Sequence, residues 1–397
     1  MPTYQSVSDE RIDDYMEMLR YAFRPTEAPE TYETIEELPG PAKVGVGRGL
    51  FEDGELLCTC AHNWFTVGVR GAEHPLAGLS AVATPPENRR QGLITQLLLE
   101  SLREYREREY YLSALWPFGY PFYRRYGWAQ AGTYASYECD PDALAFAAKA
   151  VEGGEFRRLD ADEFERLNPV LNGHNEAVAL SMRRSEEWWR HRVFEGWERD
   201  PYVYSFERDG ELRGYLVYTI EEDDERTMEV HELVPRDHEA YVNLIRFCHY
   251  HDSQVETVKL YGRTDTLLFD LIEDPRAIEY EVTPGGMVRI VDVATALSAL
   301  DYPIEEGRIV LSVRDPLADW NDGMFAVEID GGEAACNSVD ERPDATVSIP
   351  TLSQLFVGHC SVERATIIGD CSIESENARK LLDAMFPPQE VFLREGF

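Results

Sequence analysis

The stretch from Leu76 to Trp128 constrains this chain more than any other. Leu76–Thr84 is an apolar, β-favouring run and predicts a buried strand. Pro85-Pro86 stops it. A basic turn, Arg89-Arg90-Gln91-Gly92, follows. From there apolar residues recur at Leu93, Ile94, Leu97, Leu98, Leu102 and Tyr105, the spacing of a helix. Glu100, Arg103, Glu104, Glu107 and Arg108 supply its polar face. Tyr110–Trp116 reads as the next strand, and Phe122-Tyr123-Arg124-Arg125-Tyr126-Gly127-Trp128 comes after it. The basic turn therefore sits at a helix N-terminus, where unpaired N–H groups and the helix dipole attract an anion. Gly92 lets a phosphate approach the backbone, and Arg89 and Arg90 add charge. Taken alone, the turn also suits a plain cap on a surface helix.

A chain of 397 residues is too long for one ordinary domain, and about two to three are expected. Its formal net charge of −36 excludes the basic footprint of a nucleic-acid binder and argues against an anionic membrane surface. Lysine occurs only as Lys43, Lys149, Lys259 and Lys380. So dense a carboxylate surface fits a high-salt cytoplasm, where screening keeps it tolerable. The cysteines (Cys58, Cys60, Cys139, Cys248, Cys336, Cys360 and Cys371) are scattered without metal spacing. Cys58 and Cys60 share one strand face and read as small buried hydrophobes. His231, His238, His249 and His251 fall close together in sequence, but as a solvated surface rather than a metal site, and no metal is expected. The polar start of the chain lacks a signal peptide, and no apolar run approaches membrane-spanning length.

Along the chain, Glu10–Phe23 reads as a helix, and Val44–Phe51 and Leu56–Val69 as strands joined by a hairpin turn at Glu52-Asp53-Gly54-Glu55. Trp128–Cys139 is expected to close the first sheet. An alanine-rich shift ending in Gly153-Gly154 marks a boundary. Beyond it, strands at Tyr202–Glu207, Leu212–Ile220 and Met228–Val234, a helix through Tyr241 and Cys248, and a strand at Val255–Tyr261 repeat the first order. Here Val234-Pro235-Arg236-Asp237-His238 replaces the basic turn; it has no glycine, and Asp237 would repel phosphate. From about Pro275 the pattern changes again, with strands from Val288 onward and helical spacing from Thr351.

Strand, Arg-Arg-Gln-Gly-Leu turn, helix, strand and Phe-Tyr-x-x-x-Gly-aromatic resemble the two cofactor motifs of the GNAT acetyltransferases. Ile94, where a second small residue is usual, resembles the enhanced intracellular survival (Eis) branch, and Val313–Gly323 is similar to sterol-carrier-protein-like domains. The resemblance implies a mixed α/β (α+β) chain: a catalytic GNAT domain over 1–140, a degenerate GNAT-like domain over 141–275, and a sterol-carrier-like domain over 276–397. It also implies acetyl-CoA as co-substrate. Backbone at Val82, Ala83 and Thr84 would meet its thioester and pantetheine, and Arg90, Gln91, Gly92, Leu93, Ile94 and Thr95 its pyrophosphate. Phe118 and Gly119 would make a further contact. A homo-oligomer, a hexamer by the same resemblance, is expected.

Acetyl transfer to an amine needs a proton for the departing thiolate. An unperturbed phenol, with pKa about 10, is protonated at neutral pH and can supply it. Tyr120, Phe122 and Tyr126 surround the candidate, and the register of the resemblance selects Tyr123. It also implies that the terminal carboxylate of Phe397 acts as general base. A free α-carboxylate has pKa about 3.3–3.7, which burial raises. The acceptor, a small-molecule or lysine amine, could be drawn by Glu27, Glu30, Glu33, Glu36 and Glu37, although so acidic a chain favours a merely solvated acidic loop. The other class of function is a carrier of apolar ligands or lipid that uses the C-terminal domain while the GNAT part senses CoA.

Overall fold

The computed structural model describes residues 2–397 except 27, 29–30, 39–44, 150–152, 197–200 and 223–224. It divides into two compact units, Met1–Gly132 with Ala177–Met182 and Gly285–Phe397, and Thr133–Glu176 with Arg183–Pro284.

In the first unit, strands β1 (Thr3–Ser6), β2 (Val46–Glu52), β3 (Glu55–Val69), β4 (Ala72–Ala83), β5 (Leu112–Leu115) and β6 (Ala129–Gln130) alternate with helices α1 (Ile12–Phe23), α2 (Leu93–Glu107) and α3 (Tyr120–Arg124). The sheet order is β1-β2-β3-β4-β5, then Met287–Ile290, then β6. Asp53 and Gly54 both take positive φ (50° and 82°), the tight turn that matches strand twist between β2 and β3. The apolar stripe of α2 is buried at Leu93, Leu97, Leu98, Leu102 and Tyr105. It shares a core with Leu50, Cys58, Cys60, Leu79, Leu115, Trp128 and Met287. Ile12, Tyr15 and Met18 of α1 join Phe51, Leu56 and Ala83 in a second core.

Two departures from the sequence reading matter. The run Trp128–Cys139 is not one closing strand: it breaks at Gly132, whose φ is +75°, after which Thr133–Cys139 pairs within the second unit. A side chain at Gly132 would collide with the Val391 carbonyl. The vacated place beside β5 is taken by Met287–Ile290, paired antiparallel with β5 and with β6.

The C-terminal part of this unit carries its own five-stranded sheet, ordered Glu333–Ser338, Gly323–Asp330, Glu306–Arg314, Ala345–Ser348, Cys371–Ile373. Leu297, Ile309, Leu311, Phe325, Val327, Leu352, Phe356 and Leu382 are all buried there. The second unit is a seven-stranded sheet in which Arg226–Pro235 and Thr257–Gly262 pair in parallel around the helix His238–His249.

All seven cysteines are buried and unpaired. Burial pushes the Cys58 and Cys60 thiols up to about 12, which suits small hydrophobes and not nucleophiles. In the acidic loop, Glu27 and Glu30 and the side chain of Glu36 lie outside the described residues. The Glu37 carboxylate accepts the Glu33 N–H at 2.8 Å.

Candidate active site

β4 and β5 pair only from Leu76–Leu112 to Gly78–Ala114, yet β4 runs on to Ala83. Beyond Gly78 the edge of β4 that faced β5 is therefore open. A bulge turns this stretch. Ala81 holds φ +53°, and the register against β3 slips between Thr59 and Ala61. Val82 and Thr84 are half-buried and Ala83 is buried. The Thr84 hydroxyl oxygen is buried without a hydrogen-bond partner among the described residues.

The chain then enters α2 through a cradle. Arg90 and Gly92 both take left-handed conformations (φ 62° and 80°), and successive amides in such turns converge on an anion. No side chain caps the first turn of α2, and the space beside Gly92 is open. The Arg89 Nε donates to the Thr84 carbonyl at 3.0 Å, and the Gln91 Nε2 donates to the Glu87 carbonyl at 3.0 Å. These bonds fix the turn and leave Arg90 exposed. Leu93 is buried beneath the turn and Ile94 packs on the same core. Thr95 and Tyr126 share a hydroxyl–hydroxyl bond of 3.0 Å. An open strand edge, an unpartnered Thr84 hydroxyl and an uncapped helix end with positive charge beside it fit an elongated ligand with a diphosphate. α2 is itself locked from behind. Burial opposes ionisation of Glu104, but hydrogen bonds from His62, Arg48 and Tyr4 outweigh it and hold the carboxyl well below its usual range.

In the segment after β5, Phe118 is exposed and Gly119 caps α3. Tyr123 is 4% exposed. Its ring packs on Phe118, Phe122 and Trp128 at 5.5, 5.0 and 6.4 Å. Burial, then the nearby Cys60, pushes its phenol well above the ordinary value, so it stays protonated. The neighbouring tyrosines are engaged: Tyr120 donates to the Gly285 carbonyl at 2.6 Å, and Tyr126 meets Thr95. The Tyr123 hydroxyl makes no hydrogen bond among the described residues.

The chain end reaches this opening. Ala179 N–H donates to the Glu390 carbonyl at 2.9 Å, and the Phe392 N–H donates to the Ala179 carbonyl at 3.0 Å. Phe392, Leu393 and Glu395 are buried. The Trp116 indole N–H donates to the Glu395 carbonyl at 2.7 Å. The Phe397 ring lies 4.9 Å from that of Phe65, and a Cβ on Gly78 would come within 2.7 Å of it. The last residue thus packs on the residue where the strands part. Sequence reasoning missed Trp116, whose only signal was an indole at the end of a predicted strand.

One group with metal-ligand spacing occurs among the described residues, in the second unit. Ligand atoms of Asp142, His249 and Asp252 lie within 4.8 Å of one another, with both aspartates exposed. His249 Nδ1 is 2.9 Å from the Pro141 carbonyl.

Comparison with known proteins agrees with this geometry. Residues 3–131 match an acetyltransferase (GNAT) domain, 180–290 a second acetyltransferase (GNAT) domain, and 293–394 a sterol carrier protein domain. The N-acetyltransferase Eis of Mycobacterium tuberculosis is 27% identical over 79% of this chain and 78% of its own. The chain belongs to the GNAT N-acetyltransferases and is similar to those of the Eis type. An uncharacterized N-acetyltransferase of Streptomyces griseus is 27% identical over 85% of this chain and 86% of its own. Among solved structures, a probable N-acyltransferase from Enterococcus faecalis superposes with a TM-score of 0.88 at 23% identity. Eis1 from Mycobacterium abscessus does so with 0.77 at 23%, both over 100% of each chain. The Eis-type order of two GNAT domains and a sterol-carrier domain thus spans the chain. The GNAT fold implies acetyl-CoA as co-substrate and an amine as acceptor.

Proposed function

We propose that this enzyme transfers the acetyl group by direct attack of an amine, with Tyr123 as general acid and the Phe397 carboxylate as general base. The observation that carries the reading is the seat of Phe397 where the two strands part. The Phe397 ring packs on Phe65 and Gly78, where β4 and β5 part, and the Tyr123 hydroxyl makes no hydrogen bond among the described residues; both features support the reading. Val82, Ala83 and Thr84 present backbone groups to the pantetheine arm, as an added strand would meet them. Arg90 and the amides of Gln91 to Thr95 hold the diphosphate, and Phe118 and Gly119 border the arm. The amine nitrogen forms a bond to the acetyl carbon as the carbon–sulfur bond breaks. The ammonium first gives one proton to the Phe397 carboxylate, directly or through a water; the departing thiolate takes the Tyr123 proton, and the second proton released from nitrogen as the amide forms returns to the Tyr123 phenolate.

Release of free CoA when the purified enzyme meets a panel of polyamines, aminoglycosides and lysine peptides tests the activity. No release with any amine would return the carrier reading. Adding one glycine after Phe397 displaces the carboxylate and leaves every side chain in place. Turnover should fall by roughly 10²-fold, the scale of a general base, with acetyl-CoA affinity kept. Full activity would assign the base to a side chain.

We further infer a homo-oligomer, from the resemblance to the Eis type, and a high-salt cytoplasm, which the net charge of −36 supports. The melting temperature should fall when KCl drops from about 1 M to about 0.1 M, as the screening length grows from about 3 to about 10 Å. An unchanged value would sink this reading.

A further inference from the structure

The motif Phe-Tyr-x-x-x-Gly ends on a glycine whose reason is found more than a hundred residues away in sequence. Gly127 holds φ +95°, and a Cβ there would overlap the Arg289 guanidinium. Arg289 stands on Met287–Ile290, the strand that completes the catalytic sheet. It is fully buried, as is its partner Asp315, with Nη2 to Oδ2 at 2.5 Å. Its other terminal nitrogen, Nη1, donates to the Tyr126 carbonyl, and the guanidinium carbon lies over Trp128, 5.4 Å from the ring centroid. Asp315 lies in the segment that resembles sterol-carrier domains. It is fixed in turn by the Leu317 and Ala318 N–H groups at 3.1 and 3.2 Å and by Asn321 Nδ2 at 3.1 Å.

A buried ion pair is weak as a source of stability, because desolvation of both ions offsets their attraction. Apolar residues of the same volume would hold the core as well. They would not hold the Tyr126 carbonyl. Tyr126 is also gripped at its hydroxyl by Thr95 of α2, so the turn after α3 is tied at one end to the diphosphate helix and at the other to Arg289. Tyr123 shares this turn: its carbonyl accepts the Tyr126 N–H at 3.0 Å and the Trp128 N–H at 3.3 Å.

We propose that Arg289 and Asp315 are positioning residues for acetyl transfer, holding the Tyr126–Gly127 turn so that the Tyr123 phenol faces the reacting sulfur. The C-terminal domain is then part of the transferase site through Asp315. This rests on the reading of Tyr123 as the acid, and the test separates the two.

Arg289→Lys retains a cation for Asp315 but lacks the second arm of the fork. It should lower kcat roughly ten- to hundredfold, as a small misplacement of a reacting group does, with acetyl-CoA affinity by calorimetry within about twofold. Arg289→Met with Asp315→Leu, which removes the pair without leaving a lone buried charge, should do the same in a folded protein. Both are repeated with Tyr123→Phe. Loss in the native background and little further loss beside Tyr123→Phe supports positioning through Tyr123. The alkaline limb of the kcat–pH profile should also move down towards an ordinary phenol as the ring hydrates. An equal loss in both backgrounds, or a parallel loss of acetyl-CoA affinity, overturns the proposal. Full activity of Tyr123→Phe alone overturns the acid assignment instead.

Discussion

The two GNAT units place the same strand–helix–strand frame under different helix ends. In the first, α2 begins at Gly92 with no side chain over its amides. In the second, the helix His238–His249 begins at Asp237, whose carboxylate accepts the Ala240 N–H at 2.9 Å and pairs with Arg213. Burial opposes this charge, but those partners hold the carboxyl below its usual range. A carboxylate of the chain thus stands over the helix end that the first unit leaves uncapped. The strands differ likewise. Both parallel pairs end early, at Gly78–Ala114 and at Val230–Leu260. In the first unit the β4 edge past this point carries a bulge. In the second, His231 follows at once, its ring parallel to Tyr261 at 6.0 Å. The frame is shared, and the two units differ in a few residues at one helix end.

Installing the second unit's solution in the first should have the largest effect. Gly92→Asp puts a carboxylate over the α2 amides and strains a left-handed residue, so acetyl-CoA affinity should fall by about 10²-fold or more, from repulsion added to lost charge-assisted bonds. Titration calorimetry reads it, and an unchanged affinity would place the diphosphate elsewhere. Arg90→Glu removes one charged contact of about 1.5–3 kcal/mol, which predicts a roughly ten- to hundredfold loss. Binding that survives this change but fails with Gly92→Asp would assign the site to backbone amides rather than to the arginine.

The contrast between helix ends was legible in the sequence because it is local. Gly92 and Asp237 each act within a few residues of their own helix, and capping follows spacing. The same holds for the strand Leu76–Thr84 and for α2. What was not legible depends on pairing between distant segments. Val288 stood as the first strand of a third domain over 276–397, yet Met287–Ile290 sits between β5 and β6; periodicity does not say which edge a strand joins. The break at Gly132 needed a single backbone conformation. Trp116 and Arg289 act across 279 and 163 residues on Glu395 and Tyr126, where spacing carries no information.

Acidification should affect both units through histidines buried as neutral rings. In the first, His359 Nδ1 accepts the Gly132 N–H at 3.0 Å, and burial brings its pKa down to about 4. An unfolded histidine titrates near about 6.5. Above that both states are neutral and nothing changes. Between about 6.5 and about 4 the unfolded chain binds a proton that the native ring refuses, so stability falls with pH through that window. With partial exposure the loss is at most about 2 kcal/mol. Thermal unfolding from pH 7 to 4, with His359→Gln flattening the slope, measures it; a slope unaltered by that change would assign it to other groups, such as His231 of the second unit, which burial also lowers.

The smallest effect bears most directly on the comparison. Asp237→Ala strips the cap from the second helix and leaves Arg213 without that carboxylate. Loss of a cap costs about 0.5–2 kcal/mol, so the second unit's unfolding transition should shift down by a few degrees. Acetyl-CoA affinity should not move, because the binding amides belong to α2. Stoichiometry carries the sharper information. If Asp237 merely covers a competent site, uncovering it would expose free amides beside Arg213 and Arg236, and calorimetry would count two acetyl-CoA per chain. We expect one. The second helix lacks a glycine at its start, and His231 lies against Tyr261 just where the strands part, so removing one carboxylate restores neither a close backbone approach nor an open strand edge. A count of two would mean that the second unit differs from the first by a single side chain.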